Sequence, residues 1–216
     1  MKTAARCFSE LMRSAAIGLM LAGWLLLGEN VEGPFARAEG PVRIPVIFHV
    51  AQSTEHRAPA ESFIREQLSH ASTIYRPLGM ELVDAGREAL AARHADLVTR
   101  ADRDALLRYV RKGAIHCMVV SSLMDVDEPG RERRGVHWRS RRSPAHLVIV
   151  STLAGPYVLA HELGHFLGNR EHSDAPGNLM SYTPWGDLPF LDGTQKATVQ
   201  QTLQKMLRSR ELRSAK

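Results

Sequence analysis

Cysteine is scarce: Cys7 and Cys117 are the only two in 216 residues, too few for a disulfide framework or a four-thiolate zinc knuckle. Long hydrophobic runs are missing too. The most apolar stretch, Ala15 to Leu27, has about 13 residues, short of the roughly 20 that a spanning helix needs. Aromatic residues are few, at 6%, and no internal repeat or low-complexity linker is present. What remains, 44% apolar and 24% charged residues, is the balance of a soluble globular domain and excludes collagen-like or disordered chains. The net charge of +5 comes without an aromatic stacking platform or a nucleic-acid module, so no nucleic-acid partner is expected.

The first segment reads as an address. Lys2, Arg6 and Arg13 precede the apolar run, and Ala36-Arg37-Ala38 follows it as an A-x-A cleavage pattern. Residues 1–38 are thus expected to be a secretory signal peptide, and 39–216 a single catalytic domain, extracellular or periplasmic, without stable membrane insertion. Cys117 would then be the only thiol, a buried and inert one.

In that domain, 42–50 reads as a β-strand, 60–78 as a helix ended by Pro77-Leu78-Gly79, and 80–83 as a short second strand. A second helix is expected over 102–112. The continuous apolar runs 114–120 and 146–150 suggest strands buried on both faces. Gly135-Val136-His137-Trp138 reads as an edge strand, and 195–207 as a last helix capped by Asp192 or Thr194. This order points to an α+β fold, a mixed sheet with helices packed on it.

Chemistry concentrates in His161-Glu162-Leu163-Gly164-His165. On a helix, residues four apart project about 40° from one another, so both imidazoles can face one metal ion. Glu162 is offset by about 100° and suits a base acting on water beside that ion. Pro156 near the start, an apolar arc of Val158, Leu159, Leu163, Phe166 and Leu167, and Gly168 as a left-handed stop all support the helix. Two histidines do not complete a catalytic zinc site, which usually has three protein ligands and one open position. Gly168 turns the chain so that Glu171 or His172 can fold back.

These residues resemble the metzincin zinc proteases, whose pattern H-E-x-x-H-x-x-G-x-x-H is followed by a methionine turn. The match covers His161, Glu162, His165 and Gly168, and resumes at Pro176-Gly177-Asn178-Leu179-Met180-Ser181-Tyr182. It departs at the third ligand, which the family spacing would place at Glu171. His172 stands one residue later and is favoured as the ligand, with Glu171 the alternative and Asp174 a weaker one. A clan that takes a later helical glutamate has only Glu211 to offer beyond residue 174, a poor fit. The resemblance implies a metzincin-like zincin fold: a twisted, mostly parallel sheet, an active-site helix, and a small C-terminal subdomain with a terminal helix. It also implies an apolar floor at Met180, and for Tyr182 the role of mobile ligand and transition-state donor, against that of a pocket-wall residue.

The expected activity is zinc-dependent endopeptidase chemistry on a protein or peptide substrate, by a monomer. Imidazole-held zinc brings the pKa of bound water toward about 7, and Glu162 shuttles its proton to the leaving amine. Residues 135–139 would pair with the extended substrate, and Tyr182, Thr183, Pro184 and Trp185 would wall a pocket. The cluster Arg131, Arg133, Arg134, Arg139, Arg141 and Arg142 reads as a solvated loop, with attraction of acidic substrates as the other reading. Asp125 to Gly130 is a weak candidate for structural calcium. His49, His116, His137 and His146 read as core or surface residues. Only Glu39-Gly40-Pro41 precedes the first strand, so no metal-reaching pro-segment is expected. Rival readings are a secreted zinc-binding module without turnover, which Glu162 argues against, and a zinc hydrolase of a cell-wall peptide.

Overall fold

The computed structural model describes residues 40–51, 61–182 and 188–215. The signal-peptide reading and the pocket-wall residues Thr183, Pro184 and Trp185 lie outside them. The elements in chain order are β1 (Val42–Ala51), α1 (Glu61–Tyr75), β2 (Met80–Leu90), β3 (Asp96–Leu97), α2 (Arg100–Ala105), β4 (Ile115–Val120), β5 (Ser122–Leu123), β6 (Gly135–Arg139), β7 (His146–Ser151), α3 (Val158–Phe166) and α4 (Gly193–Arg208). No described helix is long and apolar enough to cross a membrane.

Five strands form one sheet in the order β2-β1-β4-β7-β6. The first four run parallel, and β6 closes the edge antiparallel to β7. The apolar runs of β4 and β7 are buried at every position because both faces of the sheet are covered. Side chains alternate across it: Ile115, Cys117, Val119, Val148 and Val150 join the core under α1, α3 and α4. Met118, Val120, Leu147 and Ile149 join a second core with Leu97, Leu106 and Leu123. On β6, Val136 and Trp138 pack against this second core, which by the same alternation turns Gly135, His137 and Arg139 toward the helices.

Three sequence expectations shift. Strand β2 extends to Leu90 rather than ending at Val83; its polar half lies at the sheet edge, where no apolar pattern is required. A bulge there pairs Val46 with Asp84 and Phe48 with Arg87, and Gly86 supplies the φ of +119° it needs. Helix α2 stops at Ala105, with Leu106–Tyr109 tightened into a 3-10 turn, not at Lys112. Helix α1 ends at Tyr75, and Arg76–Leu78 follow as a 3-10 turn around Pro77.

Helix α3 has no side-chain cap of its own. Gln67 of α1 supplies the acceptor instead, taking the Leu159 N–H at 3.0 Å while donating to the Gly155 carbonyl at 2.8 Å. The fully buried Tyr75 donates its hydroxyl to the Ala160 carbonyl at 2.7 Å. Two side chains of α1 therefore fix the start of α3, and with it everything α3 carries.

Candidate metal centre

Helix α3 brings His161 and His165 to one side, and both rings are held by carbonyls. His161 Nδ1 donates to the Leu179 carbonyl and His165 Nδ1 to the Asn169 carbonyl, each at 2.6 Å. A neutral imidazole that donates from Nδ1 keeps a lone pair on Nε2, so both Nε2 atoms are acceptors without a proton. His172 completes the group. Its Nε2 lies 3.2 Å from His165 Nε2, and one ligand atom from each of the three residues falls within 4.8 Å of the others. Glu171 and Asp174 are exposed and lie outside this group.

Burial pushes His161 down to about 4 and lowers His165 and His172 as well, with neighbouring imidazoles acting the same way on His161 and His172. All three are therefore neutral at pH 7, the form that binds metal. Three converging nitrogen donors with fixed outer hydrogen bonds suit a tetrahedral site with one open position. The donor set fits zinc.

Local sequence explains how His172 arrives. Gly168 takes φ +103°, a conformation that few other residues tolerate, and a β-carbon there would come within 2.7 Å of Thr202 Oγ1 on α4. The turn lets the Asn169 carbonyl face His165, and the chain then folds back. Ser173 N–H donates to the Met180 carbonyl at 2.9 Å, which ties the His172 loop to the methionine turn. In that turn Asn178 Oδ1 accepts from Met180 N–H at 2.8 Å, and Asn178 Nδ2 donates to Gln195 of α4 at 2.8 Å. Met180 is fully buried against Gly164, whose missing β-carbon would meet the Met180 sulfur at 2.4 Å. The methionine thus lies against α3 between the two histidines.

Glu162 is buried, and burial pushes its carboxyl up to about 8, opposed by the His137 backbone N–H. It packs against Gly135 at the start of β6. Tyr182 stacks on His172 with ring centroids 3.8 Å apart and is 67% exposed. The cleft over these residues measures about 920 Å³.

Two features were not legible as functional. Arg133, read as part of a solvated loop, donates from Nε to Asp125 at 2.5 Å and lies beside the Tyr182 side chain. Asp125 is clamped in turn by the Asp127 and Glu128 N–H groups at 2.8 and 3.2 Å; these are the oxygens the calcium reading would have used. The second is a chain of side chains along the cleft wall: His137 Nε2 to His146 Nδ1 at 2.7 Å, then His146 Nε2 to Glu211 at 2.6 Å. Apart from the local turn at Asp125, these partners are eight or more residues apart, and no local pattern announces them.

No protein-family model matches the chain, and no curated protein matches its sequence. Solved structures do share its fold. Metalloproteinase-II from Bacteroides fragilis is 17% identical, with 77% of this chain and 55% of that one covered and a TM-score of 0.55. Mature mirolysin of Tannerella forsythia, in complex with a cleaved peptide, is 12% identical over 81% of this chain and 99% of that one, TM-score 0.55. Archaemetzincin from Methanopyrus kandleri is 18% identical over 78% and 99%, TM-score 0.49. The chain spans about half the length of the Bacteroides proteinase. With its mostly parallel sheet and helices, it adopts a metzincin-like zincin fold.

Proposed function

We propose that this chain is a secreted zinc-dependent endopeptidase, with residues 1–38 as its export signal and 39–216 as its catalytic domain. The observation that carries the reading is the convergence of His161, His165 and His172 within 4.8 Å beside a buried carboxyl, Glu162. Zinc, when bound there, supplies Lewis acidity toward a water and a peptide carbonyl.

The chain's own groups supply the rest. Glu162, whose carboxyl the charge of a bound zinc would hold ionised against the upward push of burial, accepts a proton from the attacking water and passes it to the leaving amine nitrogen. Among the described residues strand β6 has a single neighbour in the sheet, and its other edge can hold an extended peptide by backbone hydrogen bonds. Tyr182, steadied by Arg133 and by its stack on His172, donates to the carbonyl oxygen as negative charge develops. A metal-binding module without turnover has no need of a carboxyl held in the dry wall of the cleft.

Fluorescent casein and Glu162→Gln test the reading together. Zinc-loaded wild type cleaves the unfolded protein, while the variant retains its zinc and loses at least ~100-fold in kcat/KM. Equal turnover by the two, or none by zinc-loaded wild type, contradicts it.

A further inference from the structure

We propose that the half of the cleft beyond His137 is a carboxylate subsite, and that the substrate is a peptide presenting an acidic group there. The proposal rests on the peptidase reading above for what happens next to that group, and on the cleft walls for the group itself.

Three cations line this half of the cleft from three separate elements: Arg139 at the end of β6, Arg170 after α3, and Lys205 on α4. None of them has an ion-pair partner among the described residues. Unpaired arginines occur elsewhere on the described surface too; what distinguishes these three cations is that they line one cleft.

The acids lining the cleft are already engaged. Asp125 holds Arg133, Asp127 holds Arg100, and Glu162 sits buried beside the imidazoles. Glu211, which also lines the cleft, accepts from His146 at 2.6 Å. Even counted in full, Glu211 leaves an excess of two positive charges over Arg139, Arg170 and Lys205. Like charges gathered in a cleft with low-dielectric walls focus the potential and favour an anionic partner. Phe166 and Met206 give this half an apolar floor, which suits a peptide chain bearing a carboxylate better than a free inorganic anion. That carboxylate can belong to an Asp or Glu side chain or to the peptide's own C-terminus.

Peptide pairs differing only in Glu against Gln, each made as free acid and as C-terminal amide, separate these sources. Two readouts are taken: anisotropy of the labelled peptides on zinc-loaded Glu162→Gln protein, and kcat/KM on wild type. The subsite requires the acidic member to bind at least tenfold more tightly, with the preference declining as salt rises. It also requires that R139Q, R170Q or K205Q reduce the preference by raising KM more than lowering kcat. A Glu effect that survives amidation identifies a side-chain carboxylate, and a preference abolished by amidation identifies the C-terminus; both support the subsite. Acidic preference in binding without cleavage by wild type supports the subsite and removes the peptidase reading. Equal binding of acidic and neutral peptides overturns the subsite, whatever the turnover.

Discussion

The metal centre depends on which nitrogen of each imidazole carries the proton. The motif supplied two histidines four apart; the Asn169 carbonyl that fixes His165 comes from the turn just after the helix, but the Leu179 carbonyl that fixes His161 is 18 residues away and only the fold brings it near. Gly135 makes the same point for the base. A β-carbon there would lie 2.5 Å from Val158 Cγ1 and 2.8 Å from Glu162 Cγ, closer than atoms pack, so glycine is what lets β6 lie against α3. Gly135→Ala is expected to push the strand away, costing about 1–3 kcal/mol of stability in urea titrations. It should also depress kcat well below wild type with zinc content intact. A variant as stable and as active as wild type would show that this close approach is unimportant.

Among the elements, those that bury a continuous or periodic apolar pattern were legible in the sequence. Strands β4 and β7, helix α4 with its Asp192 capping box, and α3 with its glycine stop all declare themselves over a few consecutive residues. The outer half of β2 did not, because an edge strand can carry charged residues such as Asp84, Arg87 and Glu88 on both faces, where they pair with Glu61 and Arg111. The over-long reading of the second helix has a similar origin: Leu106 and Leu107 keep an apolar spacing that a 3-10 turn also satisfies. Arg133 was read as solvated because its partners stand eight residues before it and 49 after it, at Asp125 and Tyr182. His137 and His146 read as core or surface residues, and their link to one another and to Glu211 arises because β6 pairs with β7 and the chain after α4 returns to them. His172 is favoured over Glu171 and Asp174 by residue type, not by spacing, because a loop after glycine can return with either face inward; in the structure the His172 ring lies with His161 and His165.

At the scale of the molecule, acid should loosen the sheet from a point away from the metal centre. His49 on β1 has no exposed surface and packs on His116, its Nε2 2.8 Å from His116 Nδ1, with Tyr109, Glu88 and Arg111 around it. Burial pushes its pKa down to about 4, His116 and Arg111 act the same way, and Glu88 opposes them. The unfolded chain, titrating near 6.5, therefore binds more protons than the folded one between pH 6.5 and about 4. Stability is full above this window and falls as pH drops through it, by about 3 kcal/mol for this one group. Urea midpoints from pH 7 to pH 4.5 should decline for wild type and decline less for His49→Gln; parallel curves would assign the acid sensitivity elsewhere.

The proposed function requires His161, His165 and His172 to hold one zinc ion over the cleft. A crystal of the purified chain grown with zinc and measured at the zinc absorption edge tests it most directly. A single strong anomalous peak within bonding distance of the three Nε2 atoms, with Glu171 turned to solvent, is expected. A map without a peak at these imidazoles, or with Glu171 bound in place of His172, would contradict it.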